Sequence, residues 1–307
     1  MSLTLERHIA LPQNKGRGGF DHADAHPGLD RMYVAHTAND ALDIIDCVRN
    51  TYVDSIPGLT AVAGALVSEA RGLVFTSNRG ENTVSIFAPG AEDKAVKVPV
   101  GIKPNGLAFD AERSLLLAAN VGDPAIAGSF TVSLVDVQAM ERIAEVPVPG
   151  RTRWTIYDAV REVFFVNIAS PAKVVAISAA KPHKILREFD VPAAGPHGLD
   201  LDAQNGRLFC ACDASVLVSV DAASGRPLNE IALSGPPDVI FLHAALQRLY
   251  VAIGEPGVID VVDIREMRKV ESVDTEQGAH TIALDRKRNR VFAFLPDTHR
   301  AAVLHES

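Results

Sequence analysis

His197, Asp238 and His280 stand 41 and 42 residues apart, and Asp21, Ala63 and Asn105 follow one another at 42 and 42. Arg153 falls between these runs, 48 residues after Asn105 and 44 before His197. If one fold element recurs at that period, the seven positions form a ring that mixes two imidazoles and two carboxylates with an amide and a guanidinium. Histidine and carboxylate together make a nitrogen and oxygen donor set suited to Zn²⁺, Mn²⁺ or Fe²⁺; Ca²⁺ and Mg²⁺ favour oxygen and match histidines less well. Such an ion polarises a substrate carbonyl or lowers the pKa of a bound water. His197 and His280 would then be ligands, with Asp238 and Asp21 as ligand or general base. Arg153 is the one cation of the seven, and its planar fork of donors suits a carboxylate or phosphate.

His22 is the alternative to Asp21. Strand alternation places Asp21, Ala23 and Ala25 on one face and His22, Asp24 and His26 on the other, so either can be the ring residue. His22 and His26 would lie about 13 Å apart along a strand, too far to share one ion, which assigns His26 to a turn at the opposite end.

The elements that must position these residues repeat with them. The fullest unit reads Gly195-Pro196-His197-Gly198-Leu199-Asp200-Leu201-Asp202, a turn at 203–206, an apolar strand at 207–212 and a third strand at 216–221. Seven such units recur, their second strands ending in His36, Asn78, Asn120, Ile168, Cys212, Ile253 and Leu295. Short Val-, Leu-, Ile- and Phe-rich runs between Gly, Pro, Asn and Asp turns are antiparallel strands, and four of them per repeat of this length make one propeller blade. The last unit stops after three strands, while residues 4–11 resemble the fourth strands at 145–148 and 228–233. The expected fold is therefore an all-β, seven-bladed β-propeller of four-stranded antiparallel blades, a single domain over residues 1–307. The N-terminal strand closes the ring and hides a sheet edge. Closure makes the blades of His197, Asp238, His280 and Asp21 neighbours.

Pro104-Asn105-Gly106 with Leu117-Ala118-Ala119-Asn120, and Pro196-His197-Gly198, give the chain a resemblance to the YncE-like, or YVTN-repeat, seven-bladed propellers over essentially its whole length. The resemblance implies the fold. For function it implies only a range, from lactonases and antibiotic lyases to plain binding scaffolds, because sites and not folds carry function.

With propeller strands running from the channel outwards, the ends of the second strands share the ring's face. His36, Asn78 and Asn120 are accordingly expected, with Asn105, as contacts to substrate. The long loop at 121–129, which stretches one spacing to 48, is a candidate lid bearing Asp123. Trp154 is a candidate pocket wall. The basic, glycine-rich run 14–19 lacks the strand-to-helix setting of a phosphate loop, and neither a Gly-x-Ser-x-Gly elbow nor a Cys-x-x-Cys-His haem motif is present.

A formal charge of −8, from 30 Lys and Arg against 38 Asp and Glu, argues against a nucleic-acid partner. Apolar runs stay far below the roughly 18 residues of a membrane span. Residues 2–10 carry Glu6, Arg7 and His8 where a signal peptide would be apolar, and the three cysteines form no disulfide framework. The expected compartment is cytoplasmic, or periplasmic had a leader been removed. The leading functional expectation is a metal-dependent lactone or ester hydrolase, or a lyase, acting on a small anionic molecule at the channel mouth. The alternative is a non-catalytic propeller binding a small molecule or peptide.

Overall fold

The computed structural model describes residues 2–307 and forms seven four-stranded antiparallel sheets, each a blade around a central channel. Six blades take their strands in sequence order, at residues 23–57, 62–99, 104–147, 152–190, 196–232 and 237–274. The seventh holds residues 281–306, and its fourth strand is Leu3–Ala10, paired antiparallel with Arg300–Glu306 from Leu3 opposite Glu306 to Ala10 opposite Arg300. Met1 lies outside the described residues. Leu3 and Ile9 are each only 3% exposed, so the closing strand brings its own apolar anchors to the core.

The second strands are the most legible elements because both of their faces are covered. Leu115–Asn120 and Val163–Ile168 are buried throughout, whereas outer strands such as Glu141–Pro147 alternate or face solvent. Apolar clusters span the seams between blades; one joins Leu3, Tyr250, Ile282 and Leu304 from the sixth and seventh. Among the described residues, no helix is long and apolar enough to cross a membrane.

Two local features aim the ring residues. In five blades the pairing of the inner with the second strand slips at the ring position, between Val62 and Gly64, Pro104 and Leu107, Thr152 and Thr155, Pro196 and Gly198, and Pro237 and Ile240. A bulge frees a residue from the ladder and turns its side chain, here toward the mouth. In addition, Gly64, Gly106 and Gly198 follow ring residues where the next blade's chain passes close by. A β-carbon there would collide with the backbone carbonyls of Asn105, Arg153 and Asp238 respectively. The Pro-x-Gly phrases at 104–106 and 196–198 thus let adjacent inner strands crowd the axis while Asn105 and His197 border the channel mouth.

Candidate functional site at the channel mouth

The ring positions Asp21, Asn105, Arg153, His197, Asp238 and His280 all border one cavity of about 720 Å³ at the mouth of the channel, together with His22. Asp21 and His22 both reach it. His22 Nδ1 lies 2.6 Å from Asp21 Oδ1, and Asp21 Oδ2 accepts from Arg79 at 3.1 Å. Burial works against the charge of Asp21, but His22 and Arg79 outweigh it and hold the carboxyl below its usual range. Asp21 therefore stands behind His22 as its orienting partner. The other face of His22 stacks on Trp154, with ring centroids 3.7 Å apart and planes 1° from parallel. His22 borders the mouth cavity and Trp154 a second cavity of about 310 Å³, so the stacked pair stands between the two.

His197 is the most heavily contacted ring residue. Its Nδ1 lies 2.8 Å from Asp213 Oδ1, while its Nε2 lies 3.2 Å from Asp238 Oδ1 and 3.1 Å from Arg153 Nη1. Burial disfavours the imidazolium, yet Asp238 and Asp213 reverse that and lift the pKa to about 9. A protonated Nε2 donates to Asp238, and only a neutral one accepts from Arg153. Asp238, desolvated but surrounded by His197, His280 and His22, is held far below the ordinary carboxylate range. His280 completes the set, its Nδ1 2.7 Å from the Gly278 carbonyl oxygen.

His22, His197 and His280 thus each have Nδ1 against an acceptor, namely Asp21, Asp213 and the Gly278 carbonyl. That outer contact fixes the ring, the arrangement found behind metal-bound histidines, and leaves Nε2 open in His22 and His280, whereas Nε2 of His197 is engaged by Asp238 and Arg153. By donor chemistry, His22, His197, His280 and Asp238 suit a divalent transition metal. As the side chains stand, no group of three or more His, Cys, Asp or Glu among the described residues is drawn tightly enough to hold an ion. Arg153 occupies the edge of His197 that an ion would need.

Arg153, read from sequence as a substrate clamp, spends its guanidinium on His197 and, at 3.4 Å, on Asp213. Asn105 is 6% exposed at the cavity wall. The structure does not bring His36, Asn78 or Asn120 to the mouth. All three are fully buried within their own blades. His36 lies between Asp43 and Asn14, Asn78 donates to Thr83 and Ser85, and Asn120 donates to Thr131 and Ser133. The reason is alternation: the last residue of the second strand points into the blade, and the next residue turns out to the channel. Thr37, Arg79 and Val121, each one position later, border the cavity, and Asp213 occupies the same position in the fifth blade. Sequence reasoning missed Arg79 and Asp213 by that single step; the 42-residue period run from Thr37 instead of His36 reaches Arg79. It also missed Lys103 and Arg151, two residues before ring positions. The 121–129 loop borders the cavity through Val121, Gly122 and Pro124, while Asp123 pairs with Lys103 at 3.1 Å.

No protein-family model matches the chain, and no curated protein matches it in sequence. Among solved structures it is similar to hydrazine synthase of Kuenenia stuttgartiensis, with a TM-score of 0.81 over 94% of this chain and 96% of that one. At 11% identity that likeness extends to the propeller fold alone.

Proposed function

We propose that the channel mouth is the active site of a metal-dependent lactone or ester hydrolase, or a lyase, that acts on a small anionic molecule. The observation that carries the reading is the trio of imidazoles, each fixed through Nδ1, gathered about the ionised carboxylate of Asp238. His22, His197, His280 and Asp238 would hold the ion, with Zn²⁺, Mn²⁺ or Fe²⁺ favoured by the nitrogen donors. When bound, it supplies Lewis acidity toward a substrate carbonyl. Asp21 and Asp213 orient two of the rings, and Arg153, once released from His197, would offer charge-assisted hydrogen bonds to an anionic substrate. The Trp154–His22 stack floors the chamber and limits substrate to what about 720 Å³ admits. Membership of the YVTN-repeat propellers and a reducing, cytoplasmic setting belong to the same proposal; the latter is supported by Cys47, Cys210 and Cys212 being unpaired and buried.

Elemental analysis of protein purified without added metal or chelator tests the reading. A stoichiometric transition metal is the expected result. Protein that carries none, and still takes up none after incubation with Zn²⁺, Mn²⁺ and Fe²⁺, would leave the same pocket as a non-catalytic binder.

A further inference from the structure

Four cations border the mouth on the side facing the histidines: Arg79, Lys103, Arg151 and Arg153. Three are already matched, Arg79 to Asp21, Lys103 to Asp123, and Arg153 to Asp213 and His197. Arg151 has no carboxylate within ion-pair distance among the described residues. Its neighbours aggravate this: desolvation, then Arg153 and Arg79, lower its pKa, and Asp213 alone acts the other way. Its backbone is anchored, the Arg151 carbonyl accepting from Ala169 N at 2.8 Å, and its exposed side chain borders the cavity.

Asn105 provides an independent observation on the same wall. It is 6% exposed, and its Oδ1 is buried without any hydrogen-bond partner. An amide oxygen buried without a partner is unfavourable, and a small turn of the Asn105 side chain toward the cavity it borders would let a ligand hydroxyl donate to it. Asn120 Oδ1 is likewise without a partner, but Asn120 lies inside its blade with both amide hydrogens engaged by Thr131 and Ser133, whereas Asn105 borders the cavity.

We propose that Arg151 and Asn105 form a recognition subsite for the anionic group and a neighbouring hydroxyl of a hydroxylated anion, either a hydroxy acid or a polyol phosphate. This deepens the proposed function by naming the class of its substrate, and it rests on that reading only for the chemistry that follows binding. Arg151 supplies the two-pronged cation, and Asn105 Oδ1 accepts from the hydroxyl. The competing account is an ordinary solvated arginine whose exposure has no consequence.

Calorimetric titration of the full chain with glycolate, acetate, glycolamide, D-glycerate and glycerol 3-phosphate separates these. Glycolate is expected to bind more tightly than acetate, which lacks the hydroxyl, and than glycolamide, which lacks the charge; comparison of D-glycerate with glycerol 3-phosphate decides between carboxylate and phosphate. Arg151→Met is expected to weaken the preferred anion about tenfold or more, as for loss of a charge-assisted hydrogen bond, with Arg151→Lys recovering part of it. Asn105→Leu should erase the preference for glycolate over acetate. Metal content should be the same in all three variants. Binding that is unchanged in Arg151→Met, or absent for every probe, overturns the proposal. Arg151-dependent binding in a chain that takes up no metal keeps the subsite and removes the metalloenzyme, whereas bound metal with Arg151-independent binding does the reverse.

Discussion

His197→Ala is expected to remove bound metal and turnover together while leaving the propeller folded. His197 is the one ring residue that touches Asp213, Asp238 and Arg153 at once. Without it, Asp238 loses its nearest cation and Arg153 is free to take that carboxylate, so the donor set is both depleted and blocked. The loss of metal affinity should exceed the roughly ten- to hundredfold typical of disturbing an outer partner. Asp213→Asn, which leaves His197 in place, should fall within that smaller range. His197 lies at a bulge outside the regular ladder, so the sheet hydrogen bonds survive its truncation and the melting temperature should change little. Metal titration and thermal melting of the two variants check this. Stoichiometric metal bound as tightly in His197→Ala as in the native chain would contradict the assignment.

Deleting residues 2–10 should have the largest effect on stability. The strand Leu3–Ala10 is the fourth of its blade, and it buries Leu3 and Ile9 while Glu6 pairs with Arg290 at 2.7 Å. Two fully buried aliphatic side chains contribute about 3–6 kcal/mol together, a large share of the 5–15 kcal/mol typical of a folded domain. At roughly 2–4 °C per kcal/mol, the melting point should fall by about 6 °C or more. The strand Arg300–Glu306 would then be an open edge, and size-exclusion chromatography should show concentration-dependent association. A truncated chain that melts like the native one and stays monodisperse would place ring closure elsewhere.

How much of this was readable without coordinates depended on what each residue's position is determined by. The second strands are continuous apolar runs because both faces are covered, and their period located Asp21, Asn105, Arg153, His197, Asp238 and His280 around one cavity. The orphan strand at the N-terminus was visible because the last repeat lacks one. What was not readable is the direction of single side chains where ladders end. His36, Asn78 and Asn120 differ from the cavity-lining Thr37, Arg79 and Val121 by one residue, and only the exit of the strand decides which of each pair faces the channel. Asp21 and His22 both reach the cavity because they precede the inner strand Ala23–His26, where the alternation that would admit only one does not hold. Arg151 and Asp213 carry no motif; they gain meaning only from which neighbours are already matched and which are not.

The central claim is that His22, His197, His280 and Asp238 hold one transition-metal ion at the channel mouth. Anomalous diffraction from crystals of the zinc-reconstituted protein, recorded on either side of the zinc absorption edge, tests it most directly. The account predicts a single peak in that cavity, about 2 Å from imidazole Nε2 atoms, with Arg153 no longer against His197. A map with no peak in the cavity, or one whose zinc sits on other residues while Arg153 and Asp238 still enclose His197, would contradict it.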